Sequence, residues 1–300
     1  MASTQKVTKA VIAAAGFGTR FLPQTKAMPK EMLPVVDKPV IQYIVEQLVE
    51  AGIQDIIIVS GYSKRSIEDH FDTPNEDLLA NLREGGPKKE HYITEVRRIA
   101  DMANFAYVRQ KGPYGTGTPI MNAAHLIGNE PFIYTFADDI TVGSPNIYQQ
   151  MITAYEELQG SIIACLRLTQ DEDYDRYGIF GGEKVRSDVI KADSIIEKPG
   201  KARAPSDFAG IGGHLLTPDV FDYLERGIAE LQPGQEFYAT DRLFMPMATD
   251  GKPIYGLEIK YEARYDTGNT LGYMKAVVDF ALKRPDIGPE LKQYLQDILQ

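Results

Sequence analysis

The chain has 300 residues, of which 43% are apolar and 25% charged, and a net charge of −10. That balance belongs to a globular chain with ample core and excludes a disordered or fibrous one. The negative charge excludes general affinity for nucleic acid or an anionic membrane, so any polyphosphate must be held by a local cluster of cations. Cys165 is the only cysteine, which leaves no internal disulfide and fits a reducing compartment. Neither a signal-peptide pattern nor a run of about eighteen apolar residues is present. The expectation is a cytoplasmic protein.

Ala10 to Ala15 reads as a buried strand, and the Gly16 and Gly18 loop after it can bring backbone close to a ligand. Arg20, Lys26 and Lys30 follow, in a segment that Pro23 and Pro29 keep from forming a regular helix. A glycine turn with a solvated basic loop would look similar. Buried strand, glycine loop and clustered cations together point instead to a polyphosphate site.

Residues 40, 41, 44, 45, 48 and 49 are apolar at helical spacing, with Pro39 at the start and Gly52 as the stop. Ile53 to Ser60 is a second buried strand, so the opening is a βαβ unit and predicts a parallel sheet. Residues 63–71 read as a helix. Residues 74–104, charged and broken by Gly85-Gly86-Pro87, read as a surface excursion. Strands are expected at 105–110 and 132–137, the latter ending in Asp138-Asp139.

After Gly160, strands at 161–168, 179–183, 189–197 and 208–216 come without long helices between them, which predicts antiparallel pairing. A helix at 218–231, a strand at 254–261 and helices at 270–283 and 289–299 complete the chain. With no repeat and no linker, the expected organisation is one α/β domain over 1–300. Its mixed sheet is flanked by helices, its catalytic core spans 7–270, and its tail at 271–300 is helical.

Seven segments in order resemble the sugar-1-phosphate nucleotidylyltransferases, the uridylyltransferase branch in particular. Ala13 to Pro39 contains Gly-Phe-Gly-Thr-Arg and Pro-Lys-Glu-Met-Leu-Pro-Val-Val-Asp-Lys-Pro. Then come Arg-Gln-Lys (109–111), Ala-Asp-Asp (137–139), Arg-Tyr-Gly (176–178) and Ile-Glu-Lys-Pro (196–199). Glu-Phe-Tyr-Ala-Thr-Asp (236–241) and Arg-Tyr-Asp-Thr-Gly-Asn (264–269) complete the set.

The resemblance implies a Rossmann-like nucleotidyltransferase fold and the joining of UTP to glucose 1-phosphate, giving UDP-glucose and pyrophosphate with Mg²⁺. On it, Arg20 clamps the triphosphate, Lys26 and Lys30 lie near the phosphates, and Ala15 and Gly16 lie against ribose and base. Glu31, Gln110 and Gly115 match base-side positions. Asp138 and Asp266 match the metal ligands, with Asp139 the rival to Asp138. Gly178, Glu197 and Lys198 match the sugar side, Lys198 holding the sugar phosphate. A homodimer or homotetramer is implied, with no nucleic acid or membrane as partner.

Three segments depart from the pattern. Gly115-Thr-Gly-Thr-Pro119 stands where Gly-Leu-Gly-His-Ala is usual, Gly212-Gly213-His214 where Gly-Arg-Tyr is common, and Thr270 where a lysine is common. The same chemistry on another base, such as dTTP, or another sugar therefore stays open, as does a non-catalytic paralogue that binds nucleotide-sugar. A dinucleotide-binding oxidoreductase is excluded, because Gly-Phe-Gly leads into Thr-Arg and two prolines rather than a helix. His70, His91, His125 and His214 show no metal-ligand spacing and read as structural or solvated.

Overall fold

A computed structural model describes residues 5–299. Along β1 (Lys9–Ala14) every second residue faces the same side, yet both sides are buried. Ala10, Ile12 and Ala14 enter one core and Val11 the other. Two-sided burial is why this strand reads as a continuous apolar run. A two-residue hairpin of β2 (Pro34–Val35) and β3 (Lys38–Pro39) leads into α1 (Val40–Glu50), which buries Ile41, Ile44, Val45 and Leu48. Then β4 (Asp55–Ser60) pairs parallel to β1.

The charged stretch after α2 (Arg65–Phe71) folds as two helices, α3 (Glu76–Glu84) and α4 (Glu90–Ala100). Both are largely exposed, but Leu79, Ile93 and Ile99 are buried, so the excursion is anchored. Next come β5 (Asn104–Arg109), α5 (Thr118–Ile127) with Pro119 in its first turn, β6 (Phe132–Phe136) and β7 (Asp139–Val142). The helix α6 (Ile147–Leu158) was not among the expected elements. Asn146 caps it, accepting from the Tyr148 and Gln149 backbone amides while the Gln149 side chain returns to Asn146.

The second half supplies β8 (Ser161–Arg167), β9 (Gly178–Arg186), β10 (Val189–Glu197) and β11 (Phe208–Leu216). After them come α7 (Val220–Ala229), a π-helical turn at Thr240–Phe244 that runs into α8 (Met245–Thr249), and β12 (Ile254–Glu258). The chain ends in β13 (Ala263–Asp266), α9 (Thr270–Leu282) and α10 (Gly288–Ile298).

Nine strands form one mixed sheet in the order β5-β4-β1-β6-β11-β8-β12-β10-β9. Pairing is parallel from β5 to β6 and antiparallel from β11 onward, except that β12 lies parallel to β8. The exception follows from the long connection through α7 and α8 that returns the chain to the same end. Helices α1 and α6 cover one face of the sheet, and α5, α7 and α8 cover the other. The carboxyl ends of β1, β4 and β6 thus open on one edge, where ligands of such sheets collect. Antiparallel β11 enters the same edge beside β6.

Candidate active site

Three loops at that edge make the first lobe of a cleft. Ala15, Gly16 and Phe17 leave β1; Lys30 and Glu31 sit in a short turn after Pro29; Gln110 to Thr116 follow β5. With Tyr134, Phe136, Asp138 and Glu236 they line a volume of about 410 Å³. The far wall is held shut by backbone. Phe237 N donates to Tyr114 O at 2.6 Å and Gly117 N to Phe237 O at 2.8 Å. A side chain at Gly115 would run into the Phe237 backbone, so only glycine lets the two strands of chain close on each other.

Lys30, Glu31 and Asp138 in this lobe are paired. Lys30 Nζ donates to Asp138 Oδ2. Burial opposes the charge on Lys30, but Asp138 beside it prevails and raises the ammonium above its ordinary value. Glu31 is 1% exposed and accepts from Lys64 Nζ at 2.6 Å, the lysine reaching in from the loop after β4. Burial raises the Glu31 carboxyl and lowers the Lys64 ammonium, and the ion pair works against both.

Asp266 is remote from Asp138 in sequence, and the β7–β13 pairing brings the two together, with Asp266 opposite Asp139. Thr267 fastens the turn, its N and Oγ1 donating to Asp138 O at 2.9 and 2.8 Å. Asp138 Oδ2 and Asp266 Oδ1 both border the space that a side chain on Gly268 would occupy, Asp266 at 3.0 Å. Two carboxylates facing one small gap are a hard, oxygen-only donor set. They fit a divalent cation that takes its remaining ligands from phosphate and water. Among the described residues no cluster of three or more His, Cys, Asp or Glu offers a fuller cage. Asp139 turns the other way and takes Arg264 Nη2 at 2.5 Å. Burial pushes its carboxyl up to about 6, with Arg264 opposing.

A second lobe of about 280 Å³ adjoins the first, and Thr116 and Phe136 line both. Its wall comes from strands of the second half, through Gly178, Glu197, Gly212, His214 and Arg264 among others, and from Thr240 of the π-helical turn. Gly178 packs beside Glu197 Oε2, where a methyl group would lie within 3.1 Å. Lys198, just past β10, is exposed and sits 3.4 Å from Glu197 Oε1. It holds φ at 45°, which costs a side-chain-bearing residue on the order of 1 kcal/mol and clusters at functional sites.

A family model for nucleotidyl transferases matches residues 9–282 of this chain. The chain belongs to the nucleotidyl transferase family. It is 42% identical over 299 residues to a protein of Bacillus subtilis named UTP–glucose-1-phosphate uridylyltransferase YngB, covering 99% of this chain and 97% of that one. UTP–glucose-1-phosphate uridylyltransferase 1 of Staphylococcus saprophyticus is 43% identical, covering 98% and 99%. A UTP-bound structure of the corresponding Acinetobacter baumannii enzyme superposes with a TM-score of 0.86 at 33% identity, covering 97% and 99%. A UDP-glucose pyrophosphorylase complexed with UDP-glucose gives 0.80 at 39% identity, covering 93% and 100%.

In this nucleotidyl transferase the structure gathers Ala15, Gly16, Lys30, Glu31, Gln110, Gly115 and Asp138 in the first lobe, and Gly178 and Glu197 in the second. Arg20 is exposed at the rim, with Nη1 donating to Gly268 O at 3.4 Å beside the carboxylate pair. Lys26 lies apart, exposed in a neighbouring depression with Phe17, Pro29 and Lys64. Of the four histidines read as structural or solvated, His214 is buried and packed among aromatic rings, and it also lines the second lobe. Sequence reasoning missed Lys64, Arg264 and Thr116. Arg264 opens a segment already singled out, so its charge was visible but its direction was not. Lys64 had no signal beyond a lysine at a helix start.

Proposed function

We propose that the chain makes UDP-glucose and pyrophosphate from UTP and glucose 1-phosphate, with the nucleotide in the first lobe and the sugar in the second. The relatives' names and the UTP and UDP-glucose held by neighbouring structures support this reading. The observation that carries it is the contiguity of the two lobes, with Lys30 and the facing carboxylates of Asp138 and Asp266 beside the nucleotide lobe that adjoins the sugar lobe.

The chemistry is an in-line displacement. A phosphate oxygen of the sugar 1-phosphate bonds to the α-phosphorus as the bond to the bridging β-phosphate oxygen breaks. That oxygen is already an anion, so no general base is needed. The obstacle is bringing two anions together, which costs about 4 kcal/mol for unit charges at 4 Å and an effective dielectric of 20. Catalysis is then positioning and charge neutralisation.

Lys30 is held near the phosphates by Asp138 and is free to turn to them once they arrive. Arg20 at the rim meets the leaving pyrophosphate. Lys26, farther out, meets only the end of the triphosphate tail. Gln110 and Gly115 read the base edge, Glu31 accepts from its N3–H, and Ala15 and Gly16 lie against ribose and base. Glu197 accepts sugar hydroxyls, Gly178 lets the ring approach, and Lys198 holds the sugar phosphate. Asp138 and Asp266 would hold Mg²⁺, which when bound would supply Lewis-acid neutralisation of the charge that builds on the α-phosphate.

The reading includes a homodimer or homotetramer. Leu271, Met274, Tyr294, Ile298 and Leu299 leave apolar surface exposed along the C-terminal helices. Among the described residues no helix is long and apolar enough to cross a membrane.

Pyrophosphate release with Mg²⁺, UTP and glucose 1-phosphate tests the function. Release should require both substrates. Silence in a folded protein that still binds UDP-glucose would favour a regulatory paralogue, and release with dTTP instead of UTP would move the base assignment.

A further inference from the structure

His214 sits where β11 is irregular. The strand pairs with β8 through Phe208 to Gly210, breaks register, and resumes at His214 opposite Ile163. Gly213 takes φ of 124° in the break. Bulges of this kind re-aim a side chain, and they concentrate beside active sites. Here the side chain aimed is an imidazole, and it lines the second lobe.

The ring is 6% exposed and packed edge-on against Tyr134, Phe136 and Phe244, with centroids 5.0 to 6.0 Å away. Nδ1 is buried with no hydrogen-bonded partner, whereas Nε2 is not among the buried, unpartnered atoms. Burial pushes the ring's pKa down to about 4, with the Gly213 backbone opposing, so the imidazole is neutral at pH 7. A neutral imidazole has one N–H and one lone pair. A bare lone pair among aromatic rings would be left facing electron-rich surfaces, while an N–H can lie against them. The proton therefore belongs on Nδ1, which leaves the Nε2 lone pair as the ring's accessible acceptor.

We propose that His214 is a sugar-specificity residue whose Nε2 accepts a hydrogen bond from one hydroxyl of the hexose in the second lobe. This rests on the reading of that lobe as the sugar side. An acceptor that the bound sugar seals from water also rejects a sugar lacking that hydroxyl, because the nitrogen would then be covered and unpaired.

The test is kcat/KM for pyrophosphate release with UTP and Mg²⁺ on glucose 1-phosphate and its 2-, 3-, 4- and 6-deoxy analogues, in the wild type, His214→Phe and His214→Gln. In the wild type, losing the contacted hydroxyl should cost about tenfold. In His214→Phe that one penalty should vanish while the others stand, and His214→Gln, which keeps an acceptor, should restore part of it. If His214→Phe keeps every penalty, or relaxes all of them together, the inference is wrong. Should that variant not fold, ¹⁵N-histidine spectra of the unaltered protein decide: Nε2 of His214 shifts with UDP-glucose but not with UDP, and equal spectra would overturn the contact. An inert wild type would overturn the underlying function and this inference with it. An active wild type with an unchanged pattern overturns the inference alone.

Discussion

The two lobes of the cleft are built on opposite principles. The first lobe lies at the carboxyl ends of parallel strands, where loops carry the ligand-facing groups, and Lys30, Glu31 and Asp138 among them are already paired. Lys30 has Asp138, Glu31 has Lys64, Thr118 Oγ1 donates to Pro113 O at 2.7 Å, and Tyr134 OH to Thr116 O at 2.5 Å. The second lobe lies among antiparallel strand ends beside the break in β11, and His214, which lines it, leaves Nδ1 buried with no hydrogen-bond partner. A lobe whose charges are already paired binds by exchanging partners; on the inference above, the second binds by bringing a donor to His214 Nε2. The first should depend on keeping its pairs intact, and the second should be the easier to re-specify.

Changes at the junction should have the largest effect. Asp138→Asn or Asp266→Asn removes a carboxylate from the gap beside Gly268 and should lower turnover on the order of a thousandfold, with the unfolding transition nearly unmoved. Substantial Mg²⁺-dependent pyrophosphate release by either variant would remove that residue from the metal site.

Next is the buried pair in the first lobe. Lys64→Ala leaves Glu31 dry and unpaired and should cost about 3–5 kcal/mol in urea unfolding. The double variant Glu31→Gln, Lys64→Met should recover most of that stability while still impairing UTP use. A cheap Lys64→Ala would mean that the lobe is wetter than its burial implies.

In the second lobe, His214 gives stability a pH dependence. Its folded pKa of about 4 lies below the ordinary 6.5, so the unfolded chain binds a proton that the folded one refuses. Stability is therefore full above pH 6.5 and falls as the pH drops toward 4, by about 3 kcal/mol over the window. His214→Phe should flatten that part of the profile, which urea titrations at several pH values would show; an unchanged slope would place the ring in a more solvated setting.

Lys26→Ala should have the smallest effect, a rise of a few-fold in the KM for UTP with kcat kept. A large fall in kcat would bring Lys26 into the cleft on substrate binding.

Legibility in the sequence followed the same division. The parallel half could be read from β1, β4 and β6, because strands buried on both faces are apolar throughout and the glycine loop lies within one short segment. The antiparallel half was legible as strands but not as a site. No local signal tells that β11 breaks register before His214, or that four-residue β7 finds β13 across half the chain and brings Asp266 to Asp138. The roles given to those aspartates came from resemblance, not from spacing. Asn146 and Gln149 did announce α6 as a capping pair ahead of a helical apolar pattern, and that signal was available but unread. The turn at Thr240–Phe244 is π-helical, a form with no periodicity to detect.

The central claim is that the lobes serve different substrates, and steady-state kinetics of Gln110→Ala and Lys198→Ala with both substrates varied tests it most directly. The account predicts a crossed result: Gln110→Ala raises the KM for UTP and leaves that for glucose 1-phosphate, while Lys198→Ala raises the KM for glucose 1-phosphate about tenfold and leaves that for UTP. A rise in the KM for UTP alone in Lys198→Ala would contradict it.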